Sequence, residues 1–254
     1  MISKNPEQIC FFNLNMAEKE LLWDGGRFLL NHFAIVVVPH QDDESIAMGG
    51  SIAKLIEFQF DIHIIYTTVE KLDRRLKTNP AKRKKEASEA LEVLGVSRGN
   101  VHFLDFPDGN LRQTTLDFSK SAGKLRAVVQ EIEDKANMPI KEGETLVLTT
   151  SRHDAHRDHE DTFNLIKNAF RKKIIMEFPT VNHICSEFQS NCIIDISAHT
   201  LTKKKALQVY KGEISKRRIL WEEIDSLDRE FGKCICVESA ESCFISWYGQ
   251  LHNF

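Results

Sequence analysis

The feature that most limits the fold of this chain is a regular alternation of short apolar segments with segments of helical period. Five segments are rich in β-branched and other apolar residues, at 33–38, 61–68, 101–106, 145–150 and 173–178. Between them, the stretches 44–59, 80–95 and 120–135 place apolar residues three to four positions apart, as in an amphipathic helix. Strands that alternate with helices in this way predict a parallel sheet covered by crossover helices.

The remainder of the chain continues this pattern without an obvious boundary. After the apolar segment 191–197 we predict a charged helix over 201–227 and a short cysteine-rich strand over 233–239. A length of 254 residues suits one sizeable domain, and neither a repeat nor a linker divides it. We therefore predict an α/β fold, a single three-layer Rossmann-like domain over 1–254 with a mostly parallel central sheet.

Charge argues against a nucleic-acid or membrane-surface partner. The net charge is -3, from 34 basic and 37 acidic residues, so no overall field attracts polyanions. The basic clusters at 82–85 and 202–218 are interpreted as solvated helix surface, which is the usual place for such runs. The longest apolar run, 28–38, contains Asn31 and His32 and is shorter than the roughly 20 residues that span a bilayer. We expect no membrane insertion.

Cysteine usage indicates a reducing compartment. The chain has six cysteines, but its first residues lack the order of charged and apolar segments that marks a secretory signal. We expect reduced thiols and a cytoplasmic location. Cys234 and Cys236 lack the second pair that a metal site of cysteines requires, so we interpret them as neighbours on one face of a strand.

A first group of polar residues follows the strand at 33–38 directly. His40, Asp42, Asp43 and Glu44 lie where the loops of a parallel sheet gather to bind ligands. His40 and Asp43 are three positions apart in a tight loop and can reach one cation, which leaves Asp42 for acid–base chemistry. The alternative is that Asp42 or Asp43 caps the following helix.

A second polar group follows the strand at 145–150. The segment "SRHDAHRDHED" at 151–161 holds three of the ten histidines together with four acidic residues. The two groups supply two imidazoles and a carboxylate with other carboxylates to spare. That is the composition of a catalytic zinc site that keeps one position open for water. The sequence thus predicts a metal site shared between two strand ends.

These motifs resemble those of the PIG-L/LmbE-like metal-dependent de-N-acetylases. "PHQDDE" at 39–44 resembles the family's PHPDDE or AHPDDE signature, and "HRDH" at 156–159 resembles its HPDH signature. Weaker similarities extend the resemblance over most of the chain. They are the glycine pair 49–50, "RKKEASEALEVLGV" at 83–96, "FLDFPDGNL" at 103–111 and "SAESCF" at 239–244.

The resemblance implies roles for the residues of the two motifs. His40, Asp43 and His159 would hold Zn²⁺, with Fe²⁺ or another divalent metal as the alternative. Asp42 would be the general base. His156 would stabilise the tetrahedral intermediate or protonate the leaving amine.

The resemblance also implies supporting residues. Asp158 would orient His156 or a metal ligand, or, in the simpler interpretation, cap a helix. Arg83 and Asp108 would contact sugar hydroxyls or a substrate phosphate, although Lys82 or Lys84 are alternatives for the inward basic residue. The region from about 199 would complete the substrate mouth.

Three departures from the family pattern bear on the substrate. Gln41 replaces the usual proline, which removes a fixed φ from the loop. "TTVEK" at 67–71 lacks the T-x-G-E turn, so Glu70 is shifted. "YKGE" at 210–213 stands where relatives show an H-x-S-Q-like stretch. In the family's architecture these segments face the substrate mouth, so the substrate is expected to be unusual.

The sequence therefore predicts a zinc-dependent hydrolase that removes an acetyl group from an N-acetylglucosamine-type sugar or glycoconjugate. Alternatives are an amidase acting on a non-sugar or thiol-conjugate amide, a metal-dependent phosphoesterase, and a sugar- or metal-binding module. The presence of Asp42 argues against the last, because a binding module does not need a base. The sugar, the acyl group, the metal and the oligomeric state stay open, and a homo-oligomer is compatible with the sequence.

Overall fold

The structure is a computed structural model. It describes residues 10–11, 14–15, 20–23, 26–69, 79–109, 111, 118–136, 144–170, 173–181, 188–210 and 221–248. Glu70 and most of the segment 210–213 therefore lie outside the described residues.

The five predicted apolar segments all lie in described strands, although the strand that contains 33–38 starts earlier, at Gly26, and further strands were not predicted. The described strands are β1 (Cys10–Phe11), β2 (Leu14–Asn15), β3 (Glu20–Trp23), β4 (Gly26–Val38), β5 (Asp61–Val69), β6 (Val101–Pro107), β7 (Glu144–Thr150), β8 (Lys173–Phe178), β9 (Cys192–Asp195) and β10 (Ala240–Tyr248). The described helices are α1 (Asp43–Glu57), α2 (Pro80–Leu94), α3 (Phe118–Ala136), α4 (Arg157–Ala169), α5 (Thr200–Val209) and α6 (Trp221–Cys234). Two short 3₁₀ helices span Arg98–Asn100 and Ser197–His199. No described helix is both long enough and apolar enough to cross a bilayer.

Seven strands form a mostly parallel central sheet in the order β6-β5-β4-β7-β8-β10-β9. The first five are mutually parallel, as predicted, and β10 pairs antiparallel with both β8 and β9. Short strands extend the sheet: β1 pairs parallel with β9, while β3 pairs antiparallel with β4 and β2 with β3. The predicted α/β fold with a mostly parallel sheet is confirmed.

Both faces of the sheet are buried, which gives the structure three layers. Along β4, Ala34, Val36 and Val38 face one apolar cluster, which includes residues of α1, α2 and α5. The alternate residues Phe33, Ile35 and Val37 face a second cluster that includes residues of α3 and α4. A strand buried on both faces reads as an uninterrupted apolar run, which is the pattern of 33–38.

Local signals fix the ends of α2. Asn79 caps its start by accepting hydrogen bonds from the backbone N–H groups of Ala81 (3.0 Å) and Lys82 (3.2 Å), and Pro80 occupies the first turn. Gly95 ends the helix with φ 95°. A left-handed residue after a helix is usually glycine, because a side chain is strained there. This helix places Arg83 toward the interior.

Helix α1, which begins at the first motif, is held from the C-terminal part of the chain. Its backbone departs from helical geometry at Met48, and the Glu241 carboxylate accepts hydrogen bonds from the N–H groups of Gly50 (2.9 Å) and Ser51 (2.8 Å). Glu241 is itself 2.8 Å from buried Lys203. A side chain on Gly50 would overlap Ile196, so this close approach requires glycine. Strand β10 thereby braces the helix that carries the site.

Two predictions for the C-terminal region are wrong. The single helix predicted over 201–227 is interrupted, because α5 ends at Val209. Residues 211–220 lie outside the described residues, and α6 spans Trp221–Cys234. The strand predicted over 233–239 is instead the end of α6 and a turn, and β10 begins only at Ala240. The Gly232 carbonyl accepts hydrogen bonds from Ile235 and Val237, which reverses the chain. Cys234 therefore ends a helix and Cys236 lies in the turn with φ 59°, so they do not share a strand face.

Candidate active site

The fold brings the two polar motifs together at one edge of the sheet. β4 and β7 are adjacent parallel strands, so the loops that follow Val38 and Thr150 leave the sheet side by side. The first loop leads into α1 at Asp43, and the second leads into α4 at Arg157. The prediction that both strands end at the same edge is confirmed.

The side chains of His40, Asp43 and His159 converge at this edge and are all buried. Asp43 Oδ2 lies 3.1 Å from His40 Nδ1 and 3.3 Å from His159 Nε2. Two ligands of a tetrahedral Zn²⁺, each about 2.0–2.1 Å from the ion, lie about 3.3 Å apart. The Asp43 carboxylate thus lies at ligand-to-ligand distance from one ring nitrogen of each histidine.

The opposite ring nitrogen of each of these histidines faces a carboxylate. His40 Nε2 is 3.0 Å from Asp108 Oδ1 and 3.4 Å from Asp158 Oδ2. His159 Nδ1 is 2.8 Å from Asp154 Oδ2, and the same oxygen accepts a hydrogen bond from the Thr180 hydroxyl at 2.5 Å. A carboxylate behind a histidine places its proton on that side and leaves the other nitrogen free for a metal.

Charge at the site also favours a cation. Burial alone would lower the pKa of His159, but the carboxylates of Asp43 and Asp154 outweigh it and raise the pKa to about 9. The pKa of His40 is likewise raised, mainly by Asp43 and Asp108 against the effect of burial. The hydrogen bond from His40 lowers the pKa of Asp108 to about 2. The carboxylates thus draw positive charge to the histidines, which a bound cation would supply instead.

His156 lies beside the convergent group. Its ring is 4.6 Å from that of His40 and 5.4 Å from that of His159, measured between centroids. His156 precedes α4 as its N-cap, and its Nδ1 accepts a hydrogen bond from the Asp158 N–H at 3.3 Å. Burial lowers the pKa of His156, and the positive charge on the other two histidines adds to this effect. The free site therefore favours a neutral ring with its proton on Nε2.

Two further combinations of side chains could also hold a metal ion. His40, His156 and His159 place ligand atoms within 4.8 Å of one another, and so do His40, Asp108, His156 and Asp158. Both combinations use His40 and share the edge described above. These two sets are less suited to a closed group of ligands. Nδ1 of His156 is already paired with a backbone N–H, and about a third of the Asp108 side chain is exposed.

Asp42 occupies a special position between the two motifs. It directly precedes α1, but its side chain makes no capping hydrogen bond, so the capping interpretation of this residue is wrong. Its backbone has φ 149° and ψ -24°, a conformation that costs on the order of 1–3 kcal/mol for a residue with a side chain. The Asp42 N–H donates to Glu44 Oε2 at 3.2 Å, and Asp42 Oδ2 lies 3.6 Å from Arg83 Nη2.

The structure settles which basic residue of α2 faces inward. Arg83 is buried, whereas Lys82 extends into solvent and Lys84 pairs with Asp105. Arg83 reaches Asp42, and Asp108 reaches His40, so each contacts a motif residue rather than only lining an approach for substrate. Asp158 also contacts His40 and accepts a hydrogen bond from the Gly109 N–H at 2.8 Å. It does not cap α4, which His156 does.

Gln41, the residue that replaces proline in the motif, is held by its side chain. Its Nε2 donates to the carbonyl oxygen of Thr68 at 2.9 Å, and the Thr68 hydroxyl donates to the Pro39 carbonyl at 2.7 Å. Gln41 is buried. These hydrogen bonds tie the motif loop to the end of β5 and compensate for the lost proline ring.

Sequence reasoning assigned no role to three residues that the structure places here. They are Glu44, Asp154 and Tyr210. Asp154 and Glu44 lie inside the quoted motifs, so a search for a carboxylate partner of each histidine would have found Asp154. Tyr210 lies in the segment 210–213 that departs from the family pattern, but its contact with Glu44, 166 positions away, leaves no local signal in the sequence. His153 and Glu160, which belong to the second motif, are exposed and stay outside the convergent group.

Comparisons with known proteins agree with this geometry. The family model described as PIG-L, GlcNAc-PI de-N-acetylase, matches residues 35–170, which is more than half of the chain and includes both motifs. The probable N-acetyl-alpha-D-glucosaminyl L-malate deacetylase 2 of Bacillus cereus is 27% identical over 154 residues. That alignment covers 58% of this chain and 60% of the relative, so it spans less than two thirds of the Bacillus protein.

Solved structures show the same fold. The N,N'-diacetylchitobiose deacetylase from Pyrococcus horikoshii matches with a TM-score of 0.62 and 22% identity, covering 85% of this chain and 84% of that one. The 4-carboxy-2-hydroxymuconate hydratase from Pseudomonas putida matches with a TM-score of 0.67 and 19% identity, covering 87% and 99%. Since these two proteins catalyse different reactions, the fold alone does not select the chemistry. The family match over both motifs does assign the chain, which belongs to the PIG-L family of metal-dependent de-N-acetylases.

Proposed function

We propose that this protein is a metal-dependent hydrolase that removes the acetyl group from an N-acetylglucosamine-type sugar or glycoconjugate. His40, Asp43 and His159 would hold the metal, which we propose to be Zn²⁺, with Fe²⁺ as the alternative. The observation that carries the proposal is that Asp43 Oδ2 lies at ligand-to-ligand distance from both His40 Nδ1 and His159 Nε2. Two imidazoles and one carboxylate form a common donor set of catalytic zinc sites.

A bound divalent cation would acidify water and polarise the amide carbonyl of the substrate. The residues of the chain supply the remaining chemistry. Asp42 lies next to the ligand Asp43 but is not needed as a ligand, so its carboxylate is available to accept a proton from the attacking water. Arg83 Nη2, which lies 3.6 Å from Asp42 Oδ2, holds that carboxylate in place.

His156 is the candidate residue for stabilising the tetrahedral intermediate. With Nδ1 accepting the Asp158 N–H, a neutral ring carries its proton on Nε2. That N–H can donate a hydrogen bond to the developing oxyanion. The leaving amine would take the proton that Asp42 accepts from the attacking water, because a neutral imidazole is too weak an acid to supply it. Asp158, which is buried and lies 3.4 Å from His40, would orient the ligand histidine and α4 rather than take part in proton transfer.

The substrate contacts follow from exposure. About a third of the Asp108 side chain is accessible, so it is the candidate that can contact a sugar hydroxyl while also bonding His40. Arg83 is buried, and we assign it to Asp42 rather than to the sugar. The named substrates of the Bacillus and Pyrococcus proteins, a glucosaminyl malate and diacetylchitobiose, define the first compounds to test.

The test is a release assay on protein that is stripped with a chelator and reloaded with Zn²⁺ or Fe²⁺. The panel contains N-acetylglucosamine, N,N'-diacetylchitobiose, N-acetyl-alpha-D-glucosaminyl L-malate and inositol-linked N-acetylglucosamine. We expect equal amounts of free amine and acetate from at least one sugar, and only after reloading. Amine release from non-sugar amides alone would identify an amidase, and phosphate release would identify a phosphoesterase. Sugar binding without turnover would identify a binding module.

A further inference from the structure

We propose that Tyr210 is a positioning residue for Asp42, the base in the proposed function on which this inference rests. Tyr210 lies just after the end of α5, outside the segment matched by the family model. It is the first residue of the stretch in which the chain departs from the family's H-x-S-Q-like pattern. Its side chain is fully buried and reaches toward the first motif.

Two parts of Asp42, its strained backbone and its carboxylate, need to be held in place. Its backbone has φ 149°, which a residue with a side chain adopts only when its surroundings impose it. Glu44 provides the first constraint, since its Oε2 accepts the Asp42 N–H at 3.2 Å. Arg83 provides the second, since its Nη2 lies 3.6 Å from the Asp42 carboxylate.

Tyr210 contacts both of the residues that hold Asp42. Its hydroxyl donates to Glu44 Oε1 at 2.8 Å, and Arg83 lies over its ring with the guanidinium carbon 5.9 Å from the ring centre. The Ser45 hydroxyl also donates to Glu44 Oε1, at 2.7 Å. With Oε1 held by two hydroxyls, Oε2 is directed at the Asp42 N–H. The side chain of Tyr210 therefore contacts both the residue that holds the backbone of Asp42 and the residue that holds its carboxylate.

The buried hydroxyl of Tyr210 indicates a role other than packing. A phenylalanine would fill the same space in the core and would keep the contact with Arg83, so packing alone does not require the oxygen. The oxygen donates to Glu44, whose other carboxylate oxygen accepts the Asp42 N–H. We therefore assign the Tyr210 hydroxyl to the geometry of Asp42 rather than to the stability of the core.

The principal test compares Tyr210→Phe with wild type on whichever sugar the release assay identifies. We expect kcat about tenfold lower, because a small displacement of a catalytic group is costly, while KM and bound zinc stay within about twofold. Ser51→Ala is the matched control, since it removes another buried hydroxyl that donates to a carboxylate, that of Glu241 at 2.6 Å, and it lies in α1 away from Asp42. It should lower the free energy of unfolding comparably and leave kcat unchanged.

A double-variant cycle identifies the residue through which Tyr210 acts. In an Asp42→Asn background, adding Tyr210→Phe should have no further effect on the residual turnover, because the base is already gone. The inference is overturned if Tyr210→Phe has wild-type kcat, lowers kcat only by losing zinc, or lowers turnover equally in both backgrounds. An active Asp42→Asn protein would instead overturn the proposed function, so the two failures are distinguishable.

A second variant tests the inference if Tyr210→Phe folds poorly. Glu44→Gln keeps the shape of the side chain but replaces one of its two oxygen acceptors with an NH₂ donor, so it cannot accept from both Tyr210 and the Asp42 N–H. We expect the same signature of lower kcat with unchanged KM and zinc content. If neither variant folds, the inference is overturned, because the pair then serves the fold and not the base.

Discussion

Two groups of histidines lie at opposite edges of the same sheet, and they differ in the carboxylates that contact their ring nitrogens. At the carboxyl edge, His40 and His159 each turn one nitrogen to a carboxylate and the other toward Asp43. At the amino edge, His63 of β5 and His102 of β6 face each other, with His63 Nδ1 3.2 Å from His102 Nε2. The nearest acid there, Asp61, is half exposed and lies 3.4 Å from His63 Nε2.

The difference teaches that histidine content does not by itself make a metal site. Burial lowers the pKa of His63 and of His102, and the carboxylates that act on them, Asp61 and Glu131, do not reverse this effect. At the other edge, Asp43 and Asp154 reverse the same effect and raise the pKa of His159 to about 9. Carboxylates that orient and charge the rings therefore distinguish the candidate site. Four predictions test this contrast, from the largest expected effect to the smallest.

Removing the shared carboxylate at the carboxyl edge should have the largest effect. In Asp43→Ala, two histidines remain, and these cannot hold Zn²⁺ comparably. We expect both bound zinc and turnover to fall to the level of the chelated protein. The matched change at the amino edge, Asp61→Ala, should alter neither quantity. Zinc retained in Asp43→Ala, measured by elemental analysis, would favour the set of three histidines instead.

The next effect separates the base from the ligands. Asp42→Asn keeps the shape of the side chain but cannot accept a proton, so turnover should fall on the order of 10²- to 10⁴-fold. Bound zinc should stay near one per chain, because Asp42 is not a ligand. Parallel measurement of zinc and of acetate release decides the matter. An active Asp42→Asn protein, or one inactive only because its zinc is lost, removes Asp42 from the role of base.

The carboxylate behind His159 should have a moderate effect. Both Asp154 oxygens accept hydrogen bonds, Oδ1 from the His156 N–H at 2.8 Å and Oδ2 from His159 and Thr180. Asp154→Asn must turn its NH₂ group toward one of these donors, so zinc affinity should fall about 10- to 100-fold. Competition with a chelator measures it. Asp61→Asn is the control, and an equal loss there would erase the contrast between the two edges.

Much of this arrangement was predictable from the sequence because it depends on local signals. The apolar runs fixed β4 to β8 to within about two residues at the ends that carry the motifs, and the polar residues that follow β4 and β7 predicted a shared edge. The turn after Gly232 was missed because a backbone contact from Val237 overrides the strand preference of the segment 233–239. Tyr210 was missed because a contact across 166 positions leaves no local pattern.

The smallest expected effect concerns His63 and His102, the histidine pair at the amino edge. This pair should make the stability of the protein depend on pH. Burial lowers the pKa of both His63 and His102. Asp61 partly offsets this effect on His63. For His102, Glu131 raises the pKa and Lys135 lowers it. The unfolded chain, with a histidine pKa of about 6.5, therefore binds more protons than the folded chain below about pH 7. Stability contributed by the pair is present above that range and is lost as the pH falls.

Replacing both histidines should remove this part of the acid sensitivity. In the variant His63→Gln/His102→Gln, urea unfolding should show a smaller drop in the free energy of unfolding between about pH 7.5 and pH 5.5 than in wild type. Contributions from the distant carboxyl edge cancel in this difference, because well-separated sites are nearly additive. Bound zinc should be unchanged. A steeper acid loss in the variant would mean that the pair is protonated in the folded protein, and the amino edge would then resemble the carboxyl edge after all.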